Sequence, residues 1–302
     1  MKYRRTTLII FLAPVLLFYF VIFLAPTVNT FLLSFFHATK FVDGNNTFVG
    51  LRNYLELFKS PLFKKSVSNV FLLWIIGGFF TFFFSFMFIF LLRSGIKGKS
   101  FFRSIIYLPN LIPVVAATTM WTQYIYHPKH GFFIKFFSTI GLDSLAAIQW
   151  TGTTMIFWSM MIAITWGSIG WFVIILYAGI DRIPNELFES ATLDGAGKFR
   201  QFTSITMPLL RDVIRICITM FTIITLNHFA YPKLFTSVNV VRETYVPAVY
   251  MYELAFGMSN GASGGKILLG KGSAVGVLIL IIIITFSVLI NKIFDKFDKV
   301  EY

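Results

Sequence analysis

The chain has 302 residues, of which 57% are hydrophobic and only 13% are charged. A mean hydropathy of +0.77 excludes an ordinary soluble globular protein. The net charge of +13 does not indicate nucleic-acid binding, because the Lys and Arg residues lie between apolar runs and form no groove interleaved with aromatic side chains. Lys and Arg at the ends of apolar runs are instead expected to set the membrane topology and to contact the lipid bilayer.

Six apolar runs reach or approach the roughly 20 residues that a helix needs to cross about 30 Å of hydrocarbon. The first run follows Lys2, Arg4 and Arg5 as in a signal peptide, but it is too long and lacks a small-residue cleavage site. We therefore predict an all-α integral membrane protein, a single transmembrane domain over residues 1–302. Its six helices are predicted at about 6–36, 66–92, 104–126, 153–178, 213–235 and 273–290.

Two of these spans contain residues that affect helix geometry. The third carries Pro109 and Pro113 near its start, and the fourth contains Gly167 and Gly170, which favour close packing against another helix. In the loop between the first two spans, residues 44–46 read Gly-Asn-Asn, which predicts a turn.

The distribution of positive charge predicts the orientation. Arg93, Lys97, Lys99 and Arg103 crowd the short loop after the second span. Lys and Arg are denser in this loop, in the loop after the fourth span and at the termini than in the other three loops. The positive-inside rule therefore predicts that both termini and the loop after the fourth span are cytosolic.

That cytosolic loop, residues 181–209, is predicted to form a helix, a glycine turn and a second short helix; we call it the elbow. Pro184 suits a first helical position and Glu189 suits the positive end of a helix dipole. Gly195 and Gly197 then stop the helix. The second helix has an apolar residue at every third position until Pro208, namely Phe199, Phe202 and Ile205.

The elbow resembles the EAA loop of membrane subunits of bacterial ABC importers, EAAxxDGAxxxxxFxxIxxP. Ser190 replaces the second motif residue, a small-for-small change. The resemblance implies that the helix around Ala191 inserts into a cleft of a partner ATPase. The matching residues are Glu189, Ala191, Asp194, Gly195, Ala196, Phe202, Ile205 and Pro208.

The six-span plan and the segment YLPNLIPVVAATTMW, Tyr107 to Trp121, resemble carbohydrate permeases of the maltose and glycerol-3-phosphate type. The resemblance implies a type I importer permease fold in the bacterial cell membrane. It implies a heterodimer with a second permease subunit, two ATPase subunits and an extracytoplasmic solute-binding protein. This chain would be a transport subunit and no enzyme, binding no cofactor itself, while ATP and magnesium would bind to the partner ATPase.

Uncharged polar residues in two spans are candidates for the substrate pathway. Ser168 and Trp171 share a face of the fourth helix, and Thr225, Asn227 and His228 lie in the middle of the fifth predicted span. Hydroxyl, amide and imidazole groups beside an indole ring suit a sugar, which offers hydroxyls and one apolar face. The resemblance places the family's midplane pocket on these same two helices.

The alternatives are less well supported. The centres of the spans lack Asp, Glu, Lys and Arg, which argues against an ATP-independent, ion-coupled carrier and against a membrane-embedded enzyme. The single cysteine, Cys217, and the loop histidines His37, His127 and His130 offer no metal-ligand spacing. An acidic sugar or glycerol-3-phosphate remains an alternative substrate to a neutral oligosaccharide.

Overall fold

The computed structural model describes residues 2–39, 46–239, 242–257 and 263–296, so residues 44 and 45 of the predicted turn lie outside the described residues. Helices dominate these ranges. In chain order the α-helices are α1 (Lys2–Phe18), α2 (Ala25–Leu33), α3 (Arg52–Lys59), α4 (Pro61–Leu72), α5 (Gly78–Arg93), α6 (Lys99–Leu111), α7 (Val114–Thr119), α8 (Phe132–Thr139), α9 (Asp143–Ala146), α10 (Ile156–Ile180), α11 (Asn185–Leu193), α12 (Lys198–Gln201), α13 (Met207–Leu209), α14 (Arg211–Leu226), α15 (Ala230–Asn239), α16 (Pro247–Phe256) and α17 (Leu269–Asp295).

Five helical segments of the described chain are long and apolar enough to cross a membrane, and a bent helix pair is the sixth candidate. The predicted all-helical membrane fold is therefore confirmed, with five or six spans. Some segments join two α-helices through π-helical turns, such as Tyr19–Leu24 and Leu73–Gly77. The segments are Thr7–Leu33, Pro61–Arg93, Ile156–Ile180, Arg211–Phe235 and Leu269–Asp295, and the bent pair is Lys99–Leu111 with Val114–Ile125.

The third candidate span differs from the continuous run predicted at 104–126. Its two halves meet at 94°, with Ile112 and Pro113 in extended conformations (ψ 123° and 139°). Pro113 lacks a backbone N–H, and its ring disfavours helical geometry at the preceding residue. Pro109, by contrast, lies inside α6.

The fifth span is also interrupted. Helix α14 ends at Leu226 and α15 begins at Ala230, so residues 227–229 break the run predicted at 213–235. Pro232 lies in the first turn of α15, where a missing N–H is tolerated, but its ring would clash with the carbonyl of residue 228 in a continuous helix. This proline accounts for the position of the break.

The chain divides into two compact units, and the first comprises residues 1–64 and 247–281. In this unit a short antiparallel hairpin pairs Phe36–His37 with Thr47–Phe48. The side chain of Asn53, buried in α3, donates hydrogen bonds to the carbonyls of Ser34 (2.8 Å) and Phe36 (2.9 Å). These bonds fix α3 against the end of the first span.

The second unit comprises residues 65–246 and 282–302 and is built around α10. Helices α5, α6 and α14 pack against it, and Phe172, Leu176 and Ile180 of α10 are fully buried in the core. At Gly170 the backbone of α6 approaches so closely that a Cβ atom would clash with the Ile106 carbonyl oxygen. A Cβ atom added at Gly167, one turn away, would have only the Tyr231 hydroxyl of the described residues within 4 Å, at an ordinary 3.5 Å.

Gly170→Ala should destabilise the protein by about 1–3 kcal/mol, because the clash is with backbone and no side chain can move aside. The matched control is Gly77→Ala, whose Cβ would meet Met161 and Thr165 at an ordinary 3.7 Å. Thermal unfolding of the purified protein in detergent should show a lower midpoint for the first variant alone. Equal midpoints would disprove the close helix contact.

Candidate functional site

The elbow ends its first helix with a left-handed glycine. Helix α11 is followed by Asp194 and then by Gly195, whose φ is +79°, a conformation that costs residues with a side chain roughly 1–2 kcal/mol. The Ala196 N–H donates to the Ala191 carbonyl (2.8 Å) and the Gly195 N–H to the Thr192 carbonyl (3.0 Å). This pair of bonds is a Schellman motif, which satisfies the last carbonyls of α11 and turns the chain back.

A buried glutamine holds the turn closed. The side-chain amide of Gln201, at the end of α12, donates to the Thr192 hydroxyl (2.9 Å) and to the Ala196 carbonyl (3.0 Å). The two short helices are thereby tied together across the glycine turn. The sequence analysis did not predict a role for Gln201. A polar residue beside Phe202 in the second helix does not by itself indicate a buried hydrogen bond.

The motif residues divide between an outer and an inner face. Leu193, at the tip of the elbow, is 90% exposed. Phe202 meets the ring of Phe90 on α5 edge-on, with centroids 5.3 Å apart. After it, the chain passes through the π-helical turn Phe202–Thr206 and α13, which contains Pro208, into α14. Glu189, Asp194, Gly195 and Pro208 are exposed, whereas Ala191, Ala196, Phe202 and Ile205 are partly buried.

A cavity of about 360 Å³ lies in the second unit, beside both helix breaks. Four of the five predicted pathway residues line it, namely Ser168, Trp171, Thr225 and His228. Asn227 does not line it; its side chain is exposed and donates to the Ile223 carbonyl (3.0 Å). Asn227 therefore stays a pathway prediction, and its amide bonds the preceding helical turn and does not enter this cavity.

The cavity presents further polar groups that sequence reasoning missed. The ring of Tyr231 stacks on that of His228 at 5.8 Å, and the Asn110 side chain donates to the Gly167 carbonyl (2.6 Å). In the described chain, His228 Nε2 and the Thr81 hydroxyl are buried without a hydrogen-bond partner. Buried polar atoms normally have partners, so these two are free to bind a ligand. The signal for Asn110 was its place between two prolines.

The described lining of the cavity contains no Lys, Arg, Asp or Glu. Across the described residues, no group of three or more His, Cys, Asp and Glu side chains is placed to hold a metal. His127 and His130 stack on each other with centroids 3.6 Å apart. Loss of solvation and the neighbouring His130 and Lys129 lower the pKa of His127.

Residues 89–298, which include the elbow and the cavity-lining parts of α10 and α14, match the family of binding-protein-dependent transport system inner membrane components. The chain belongs to this family. The resemblance to ABC importer permeases is thereby confirmed, and the permease is a multi-pass inner-membrane transport component, not a catalytic one.

Relatives match over almost the whole permease. The probable ABC transporter permease protein YurN of Bacillus subtilis is 30% identical over 94% of each chain. The trehalose/maltose transport system permease protein MalF of Thermococcus litoralis is 28% identical, covering 97% of this chain and 95% of the relative. A crystal structure of a bacterial ABC transporter involved in the import of the acidic polysaccharide alginate superposes with a TM-score of 0.82 at 20% identity, covering 97% of this chain and 96% of that one. This last likeness shows that the permease has the same fold.

Gln201→Ala should loosen the elbow without affecting membrane insertion. Removing the amide leaves the Ala196 carbonyl without its side-chain donor, which lowers the stability of the closed turn by about 1–3 kcal/mol. Hydrogen exchange at the amides of Gly195 and Ala196 should accelerate about tenfold. Arg200→Ala, which removes an exposed neighbour, is the control. Unchanged exchange in Gln201→Ala would show that the turn closes without it.

Proposed function

We propose that this permease forms one side of the pathway through which an ATP-driven importer moves a neutral oligosaccharide into the bacterial cytoplasm. It would pair with a second, similar permease subunit. Two ATPase subunits would bind ATP and magnesium, and an extracytoplasmic solute-binding protein would deliver the sugar. Both termini and the elbow would face the cytosol.

The observation that carries this proposal is the chemistry of the cavity. Trp171 supplies an indole ring for the apolar face of a sugar ring. The His228 imidazole and the Thr81 hydroxyl supply buried hydrogen-bonding atoms that have no partner in the described chain. Such a site suits a ligand with many hydroxyls, because each hydroxyl can satisfy a buried polar atom.

The charge of the cavity favours a neutral sugar over an acidic sugar or glycerol-3-phosphate. A carboxylate or phosphate bound away from water needs a cationic partner. The described lining has none. The trehalose/maltose permease among the relatives serves, by its name, substrates without charge, which supports the same assignment.

The elbow is proposed to transmit the work of the ATPase. It connects the end of α10 to the start of α14, and these helices carry the cavity-lining residues Trp171 and Thr225. Docking of the exposed Leu193–Gly195 tip in an ATPase cleft would move both helices as the ATPase subunits close. Asp194 and the other exposed residues of the tip would form the contact, with Glu189 at its edge, while Phe202 holds the elbow to Phe90 of α5.

Trp171→Ala and His228→Ala should each lower sugar-dependent uptake about tenfold or more. The first removes a stacking surface and the second a hydrogen-bonding group, and each contributes about 1–3 kcal/mol to sugar binding. Asn227→Ala is the matched control, since its side chain lies outside the cavity. Uptake and substrate-stimulated ATPase activity should be measured on the reconstituted complex with trehalose, maltose and longer sugars. Equal losses in all three variants would contradict the assignment of the cavity.

Gly195→Val should uncouple ATP hydrolysis from uptake while leaving membrane insertion intact, because valine is strained at a φ of +79°. Gly197→Val is the control: its φ is −68° and a Cβ there has nothing within 4 Å. The ratio of sugar imported to ATP hydrolysed should fall only in the first variant. Wild-type uptake in Gly195→Val would overturn the proposed role of the elbow.

A further inference from the structure

A second cavity, of about 310 Å³, lies between the elbow and the ends of α5 and α10. It differs from the pathway cavity in its charge. Three cationic side chains line it, those of Arg93, Lys99 and Lys198, together with one carboxylate, that of Glu189. Lys198 and Glu189 belong to the elbow, whereas Arg93 and Lys99 belong to the end of α5 and the start of α6.

Arg93 is held in a defined position on the wall. Its guanidinium lies over the ring of Phe188, 4.8 Å from the centroid, and one of its nitrogens is 3.3 Å from the side-chain oxygen of Asn185. Both partners are on α11 of the elbow. The contacts fix the direction of the guanidinium, which forms no ion pair with a carboxylate of the described residues.

The remaining charges are also available to a ligand. Within the described residues, the ammonium groups of Lys99 and Lys198 and the carboxylate of Glu189 form no ion pair. A net positive cavity of this size, open enough to admit a solute, favours a polyatomic anion over a bare ion. The Glu189 carboxylate can accept hydrogen bonds from hydroxyl groups of the same ligand.

We propose that this cavity binds a phosphate ester that carries free hydroxyls. Lys99, Lys198 and Arg93 bind the phosphate, and Glu189 accepts from the hydroxyls. Two sources offer this chemistry: a soluble sugar phosphate and the headgroup of an anionic phospholipid such as phosphatidylglycerol. Either ligand bridges the elbow to the α5–α6 end, and thus changes how freely the elbow moves.

The site is separate from the sugar pathway, because the described linings of the two cavities share no residue. Only its cytosolic location rests on the proposed topology. Binding to the purified chain tests the site directly, whatever the outcome of the transport experiments.

The test for a soluble ligand uses the full chain in phosphatidylcholine nanodiscs. Its binding of glucose 6-phosphate, and of glucose as the uncharged counterpart, is measured by calorimetric titration. Lys99→Gln/Lys198→Gln should weaken glucose 6-phosphate binding about tenfold or more, and added salt should weaken it in the wild type. The control Lys97→Gln/Arg200→Gln removes the same charge from exposed residues outside the cavity and should bind as the wild type does.

The lipid arm compares the same three proteins after purification from phosphatidylglycerol-containing membranes, with retained phospholipid measured by native mass spectrometry. Loss of retained phosphatidylglycerol in Lys99→Gln/Lys198→Gln alone supports the site with a lipid as its source. Glucose 6-phosphate binding that depends on the same lysines supports the site with a soluble sugar phosphate as its ligand. The proposal is overturned if neither measurement distinguishes the cavity variant from the control; size-exclusion profiles verify that all three proteins are folded.

Discussion

The membrane interior allows no unsatisfied backbone polar group to face lipid, so a broken helix is tolerated only where protein or a cavity encloses the break. In the part of the permease that the structure describes, two spans are broken, at Ile112–Pro113 and at residues 227–229. Both breaks border the same cavity, which Ile112, Val114, Thr225 and His228 help to line. The cavity therefore lies where the two helices are interrupted, and it encloses the breaks.

In the proposed function, energy reaches this cavity through movement of the helices, in accord with span centres that carry no Asp, Glu, Lys or Arg to couple to an ion gradient. The elbow is the segment proposed to transmit that movement. Its turn is fixed by the Schellman bonds of Gly195 and Ala196 and by the amide of Gln201. Phe202 packs on Phe90 of α5. A turn held at this many points can pass a displacement to the helices on either side.

The sequence predicted the membrane class and the elbow because both depend on local signals: long apolar runs, and glycines at a helix end. It predicted most of the cavity because Ser168, Trp171, Thr225 and His228 are polar or amphipathic in apolar helices. Gln201 and Asn110 were missed, since their partners are fixed only by tertiary packing. The break after Leu226 was not predicted, although Pro232 disfavours a continuous helix there, and Asn227 stays a pathway prediction whose side chain does not line this cavity.

The central claim is that docking at the elbow changes the cavity. Ile224 lines the cavity and is 45% exposed, so Ile224→Cys reports on its accessibility, while the native thiol, Cys217, is fully buried and supplies an unreactive background. Labelling by a membrane-impermeant thiol reagent should be measured on the reconstituted complex with its ATPase. We predict that ATP changes the labelling rate several-fold with a wild-type elbow and leaves it unchanged in the Gly195→Val background. A rate independent of ATP with the wild-type elbow would contradict the account.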